Sequence, residues 1–255
     1  MLLFSPFRSG FGLLLLVIAL SASTLISPLK AEEMKPEEKA KFEQLIREYI
    51  FAHPEEILES VTRFQQSQKM AGEEMARQNL VHQKERLLND PTSPIAGNLE
   101  GDVTVVEFFD YRCGFCKKVH ADVMAAVKSD GNVRLVYKEF PILGPDSQIA
   151  SRAAMAVWNS NPDKYLEFHD ALMTSRGGLP ESRVLDIAES LDIDLGKLKE
   201  GMATAEVDTA LRNNYELAQS LNINGTPAFV IGGELIPGAV DLATLKKMIA
   251  KARGS

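Results

Sequence analysis

Apolar positions divide the chain into stretches of different period. Residues 11–26 are apolar apart from Ser21, Ser23 and Thr24 and the glycine at 12. Pro36-Glu37-Glu38 then opens a segment in which Phe42, Leu45, Ile46, Tyr49 and Ile50 recur at i, i+3, i+4 spacing, which predicts an amphipathic helix. His53-Pro54-Glu55-Glu56 restarts the pattern, with proline at a first helical position and acids in the first turn. Ile57, Val61 and Phe64 continue the stripe, and from Gln65 to Gln83 the apolar cover thins to Met70, Met75 and Leu80. Asp90-Pro91-Thr92-Ser93-Pro94 breaks it. Residues 32–90 therefore read as a separate helical extension, and residues 91–255 as the main domain.

The period changes beyond the break. Residues 103–109 form a near-continuous apolar run that suits a buried central strand. Residues 114–129 predict a helix stopped by Gly131, and residues 133–140 a second strand ended by Pro141. Strand, helix, strand implies a parallel pair. Residues 146–221 are almost entirely of helical period. Residues 227–231 and 234–236 flank Gly232-Gly233 and read as a hairpin, with Pro237 marking its second strand as an edge. Residues 242–252 close the chain as a helix. The order is β-α-β, a helical insertion at about 146–221, then β-β-α, an α/β fold.

Composition narrows the class. The chain has 255 residues, 45% hydrophobic and 25% charged, as in an ordinary globular protein. A net charge of −7 weighs against a nucleic-acid partner, because phosphate binding needs a basic face. Arg8, the apolar residues 11–20, small residues, Pro28 and Leu29-Lys30-Ala31 before Glu32-Glu33 follow the order of a secretory signal peptide. Residues 1–31 are expected to be cleaved after Ala31, and the protein to be exported.

The chain has two cysteines, Cys113 and Cys116, at the junction of the apolar strand and its following helix. A disulfide closing so short a loop staples nothing. A structural zinc site needs about four ligands. Haem attachment needs a histidine directly after the second cysteine, and residue 117 is Lys. Thiol–disulfide exchange uses the thiolate, which helix N-terminal N–H groups and the helix dipole stabilise. Cys113 is expected to be the exposed, acidic, attacking thiol, and Cys116 the hidden one that resolves the mixed disulfide. No cofactor and no metal is expected. His120 reads as a solvated helix histidine, and His53, His82 and His169 show no convergent partners.

Phe108-Phe109-Asp110-Tyr111-Arg112-Cys113-Gly114-Phe115-Cys116 resembles the active-site segment of the DsbA-like branch of the thioredoxin superfamily. Gly225-Thr226-Pro227-Ala228-Phe229 resembles that branch's second signature. The resemblance covers roughly residues 95–252, and the helical extension is similar to that of the copper-sensitivity suppressor C (ScsC-type) proteins. It implies a thioredoxin-like fold, a cis Thr226–Pro227 bond against Cys113, and substrate contacts at Thr226, Pro227, Gly114 and Phe115. An extended substrate would pair there as an added strand. Glu107 would be a buried acid that assists proton transfer at Cys116, with Lys138 a possible partner on the next strand. The implied partners are exported proteins with thiols or disulfides and a membrane redox partner, in the periplasm.

One departure bears on direction. Strongly oxidising members carry a histidine beside the second cysteine, and Phe115 cannot donate to a thiolate. Isomerase-like or reductase-like exchange is therefore expected ahead of strong oxidation. The alternatives are a copper-binding thiol protein, since soft thiolates suit Cu(I), and a stalked chaperone or adaptor. The two apolar stripes predict a homo-oligomer through residues 32–90. Gln68, Ala71 and Gln78 dilute the heptad pattern beyond Phe64, so no long coiled coil is expected.

Overall fold

The computed structural model describes residues 34–254, so the signal-peptide expectation lies outside the described residues. The chain separates into two compact units, with the boundary between Ser60 and Val61.

In the first unit, α1 (Pro36–Ala52) buries none of its residues, and Phe42, Leu45, Ile46, Tyr49 and Ile50 are all exposed. The helix ends at His53, whose N–H still donates to the Tyr49 carbonyl. Pro54 opens α2 (Pro54–His82) at the position where its missing N–H costs least. The Tyr49 hydroxyl donates to the Glu56 carboxylate across the break.

The second unit holds the rest of α2 and α3 (Lys84–Leu88), then β1 (Ile95–Gly97), β2 (Val103–Phe109), α4 (Gly114–Asp130) and β3 (Val133–Glu139). The insertion follows as α5 (Pro145–Ser160), α6 (Pro162–Thr174), α7 (Glu181–Ser190), α8 (Leu195–Met202) and α9 (Ala205–Ser220). The hairpin β4 (Ala228–Ile231) and β5 (Glu234–Pro237) and the helix α10 (Leu242–Arg253) complete it. The strands lie in the order β1-β3-β2-β4-β5. β2 is central and parallel to β3, and every other pair is antiparallel. β5 is the edge that Pro237 marks. Gly232 and Gly233 both have positive φ, 58° and 78°, as a two-residue hairpin turn between twisted strands demands.

β1 is the strand that the sequence reading missed. It is three residues long, too short for a period, and its neighbour Pro94 accepts the Tyr137 N–H at 2.9 Å.

Strand alternation gives the sheet two cores. Val103, Val105 and Phe109 of β2 and Val133, Leu135 and Tyr137 of β3 face α4, α10 and the insertion. Val106, Phe108, Val136 and Phe140 turn the other way and pack with Leu217, Leu221 and Val230. Leu80 and Leu87 join this second core, so the last part of the segment read as a separate extension is built into the second unit. Their seven-residue spacing was too sparse to stand out as a stripe.

Lys138 corrects a second expectation. It is paired in register with Phe108, and both side chains leave the sheet on the second face, whereas Glu107 points to the first. Lys138 is fully buried and donates from Nζ to the Arg86 carbonyl (2.7 Å), Asp90 Oδ2 (2.8 Å) and Ser93 Oγ (2.7 Å). It does not pair with Glu107.

Candidate active site

β2 ends at Phe109, and a four-residue turn delivers Cys113 to the N-cap position of α4. The Cys113 N–H donates to the Asp110 carbonyl at 3.0 Å, which closes the turn. The Cys113 sulfur caps the helix, accepting the Cys116 N–H at 3.3 Å. The two cysteines are free thiols.

Their environments differ in the direction the sequence suggests. The Cys116 side chain, the Thr226 side chain and the N–H groups of Cys116 and Phe115 outweigh burial and hold the Cys113 thiol down at about 5, from an ordinary 9.0. Cys116 has no exposed surface, and burial followed by the Cys113 sulfur pushes its thiol far above the ordinary range. Cys113 was expected to be exposed. It is the more open of the two but keeps 5% of its surface, because the Thr226 loop covers it. The site can therefore hold one thiolate and one thiol at neutral pH.

The Thr226–Pro227 peptide bond is cis. It brings the Thr226 carbonyl to Cys113, whose thiol donates to it at 3.2 Å. On the other flank, Phe115 is 65% exposed, and a Cβ at Gly114 would meet open space. The geometry thus gathers Cys113, Cys116 and Thr226 in contact, with Gly114 and Phe115 turned outward beside them.

Glu107 sits in β2 between Tyr137 and Phe229 of the neighbouring strands. It is 1% exposed, and its Oε1 has no hydrogen-bond partner. Burial, then the charge of Cys113, raises its carboxyl to about 8.

Two histidines differ from expectation. His120 is buried, with Nε2 2.7 Å from Asp170 Oδ1 of α6. His169 is buried, with Nδ1 2.9 Å from the Tyr111 hydroxyl, and burial keeps its imidazole neutral. The insertion packs α6 over α4, and long-range packing of this kind leaves no local trace in sequence. Asp110, Tyr111 and Glu139 were also missed as site residues. For the first two, the available signal was an Asp-Tyr pair between the apolar strand and Cys113.

Comparison with known proteins gives the same picture. Residues 104–250 match the DSBA-like thioredoxin domain, and residues 38–71 match the copper resistance protein ScsC N-terminal domain. A thioredoxin-like oxidoreductase from Silicibacter pomeroyi DSS-3 is 45% identical, covering 67% of this chain and 98% of its own, with a TM-score of 0.65. Proteus mirabilis ScsC in a transitional conformation is 30% identical, covering 87% of this chain and 99% of its own, with a TM-score of 0.65. Disulfide bond formation protein D of Bacillus subtilis is 28% identical over 62% of this chain and 76% of its own. The chain spans only 24% of another relative, a Na(+)/H(+) antiporter of Salinispora arenicola. With its central strand, cysteine turn and cis-proline loop in this arrangement, the chain belongs to the DSBA-like thioredoxin domain family of thiol–disulfide oxidoreductases, with a ScsC N-terminal domain ahead of that domain.

Proposed function

We propose that the protein exchanges disulfides in exported proteins of the periplasm through Cys113 and Cys116, in the manner of an isomerase or reductase rather than a strong oxidase. The observation that carries this reading is the asymmetry of the pair: a helix-capping sulfur held near 5 beside a buried thiol held protonated. The Cys113 thiolate attacks a substrate disulfide. The substrate S–S bond breaks, a Cys113–substrate bond forms, and one substrate sulfur leaves as thiolate. Cys116 then loses its proton and attacks the Cys113 sulfur. The second substrate sulfur leaves, the substrate is reduced by two electrons, and the enzyme is oxidised to a Cys113–Cys116 disulfide. In isomerisation, a second substrate thiol displaces Cys113 instead, and no net electrons move.

Glu107 lies on the same sheet face as Cys116's helix, and with its carboxyl near 8 both of its forms are accessible around neutrality. It takes the Cys116 proton in one direction and returns it in the other. Thr226 offers backbone groups to an extended substrate, and Gly114 and Phe115 supply its outer contacts. Phe115 stands where strong oxidants carry a histidine able to donate to the thiolate, which supports exchange in both directions over one-way oxidation. The copper-binding alternative needs both sulfurs as ligands, and Cys116 has no exposed surface for a metal to reach.

The exposed stripes of α1, together with Ile57 and Val61, support oligomerisation through the extension. Several Cys113 sites around one substrate would raise the effective concentration for repeated exchange. The test is the refolding of a scrambled-disulfide protein and the reduction of insulin by the wild-type chain and by Cys113→Ser. Activity of the first and silence of the second are expected. Equal rates for both would overturn the reading.

A further inference from the structure

Asp110 and Tyr111, the two residues that open the cysteine turn, are fully buried and have no part in the exchange steps above. The Asp110 carboxyl gathers four donors. Oδ1 accepts the Arg112 N–H and the Ser147 hydroxyl, each at 2.7 Å, and Oδ2 accepts the N–H groups of Ile142 (2.8 Å) and Leu143 (3.0 Å). Three of these donors lie outside the turn, in the β3–α5 connection and the first turn of α5. One carboxyl therefore ties the turn to the entry of the helical insertion.

Tyr111 supplies a second tie. Its ring meets Phe109 edge-on at 5.1 Å, and its hydroxyl lies 2.9 Å from both Glu139 Oε1 of β3 and His169 Nδ1 of α6. The unpartnered Nε2 of His169 decides the direction of this chain. Glu139 also receives the hydroxyls of Tyr165 (3.1 Å) and Ser151 (2.7 Å), and the Tyr111 hydroxyl has one proton to give. If Tyr111 donates to Glu139, His169 carries its proton on Nδ1 and donates to Tyr111. The unpartnered Nε2 is then a bare lone pair. The opposite direction would leave a buried N–H without an acceptor, which is the rarer and costlier defect. The chain runs His169 to Tyr111 to Glu139.

We propose that Asp110 and Tyr111 are positioning residues that clamp the Cys113 turn to the helical insertion and so set the stability of the Cys113 thiolate. The inference rests on the reading of Cys113 as the attacking thiol. The thiolate draws on the N–H groups at the start of α4, and those bonds weaken together when the turn rocks against the helix. The disulfide form draws on them far less. Loosening the clamp therefore raises the Cys113 titration point and shifts the redox equilibrium toward the disulfide.

The experiment compares the wild-type chain with Tyr111→Phe, Asp110→Asn and Ser147→Ala. Thiolate absorbance is followed against pH, the thiol–disulfide equilibrium is set with glutathione, and thermal stability is recorded in both redox states. Tyr111→Phe and Asp110→Asn are expected to move the Cys113 midpoint up by about one pH unit, with on the order of a tenfold shift toward the disulfide, about 30 mV. Ser147→Ala removes one donor and is expected to move both in the same direction by less. Equal loss of stability in both redox states, with unmoved titration and unmoved glutathione equilibrium, would reduce the two residues to ordinary core packing and overturn the proposal. If Asp110→Asn does not fold, the two single-hydroxyl deletions decide the matter alone. These readouts need no protein substrate, so failure of the wild-type chain on insulin would overturn the proposed function without touching the clamp.

Discussion

The Cys113 sulfur and the Thr226 carbonyl oxygen stand 3.2 Å apart, although 113 residues separate them in the chain. That carbonyl accepts a thiol proton but gives nothing to a thiolate. The negative sulfur depends on the Cys116 side chain and the helix N–H groups for its stability. Ionisation of Cys113 thus leaves the carbonyl without that donor.

The first prediction concerns pH. The Cys113 value lies below its ordinary 9.0, so the reduced protein gains stability as pH rises from about 5 to 9 and loses it as pH falls through 5. Alkylation by iodoacetamide should follow a midpoint near pH 5 and label Cys113 alone, as read by peptide mass spectrometry. Prominent labelling of Cys116 at pH 6.5 would contradict the assignment.

Cys116→Ser should accumulate mixed disulfides through Cys113, because the first attack survives and the resolving thiol is gone. Non-reducing gels of the reduced variant mixed with a scrambled-disulfide substrate test this. Trapping that survives Cys113→Ser instead would reverse the two roles.

Glu107→Gln should slow resolution at least several-fold while leaving the first attack nearly unchanged, measured by rapid-quench kinetics. It should also flatten a stability slope. A buried acid whose carboxyl moves up to about 8 stays neutral in the folded state while the unfolded chain ionises near 4.5. Taken alone, this group lowers stability between pH 4.5 and 8, by up to about 1.4 kcal/mol per pH unit, against the rise that Cys113 gives the reduced protein. Urea titrations of the disulfide form at pH 5 and pH 8, where Cys113 has no thiol to ionise, should show a smaller difference in the variant. An unchanged difference would mean that Glu107 reaches water.

Phe42→Ser combined with Ile46→Ser should lower the mass of the protein in light scattering, since both side chains are exposed on α1, which buries none of its residues. Scrambled-substrate refolding should slow in parallel, with insulin reduction per Cys113 held constant. A wild-type chain that is already monomeric would end the oligomer reading.

Much of this was legible in the sequence because it is local. The unbroken apolar run of β2, the glycine pair of the hairpin and the cysteines at a strand–helix junction each announce their structure within a few residues. The helix stripe at Phe42 and Leu45 does the same. What escaped depends on distant parts of the chain. β1 is three residues of an edge strand recognised only through its pairing with β3. The partners of Tyr111 come from β3 and α6, and a histidine satisfied by a residue fifty-eight positions away looks the same in sequence as a solvated one. Lys138 was only a possible partner for Glu107, and the register that sets it opposite Phe108 instead is not written in either strand alone.

The burial of Lys138 governs where this chain can be shortened. A protein beginning at Pro94, the natural break in the sequence, would lack Asp90, Ser93 and the Arg86 carbonyl, which between them receive the ammonium. Stranding a buried cation costs on the order of 3–5 kcal/mol, a large part of the 5–15 kcal/mol typical of a domain. Loss of Leu80 and Leu87 would open the same core further. The redox unit thus carries its own mooring on the sheet face turned away from the sulfurs. A shortened chain therefore has to keep Leu80 and everything after it to hold that mooring.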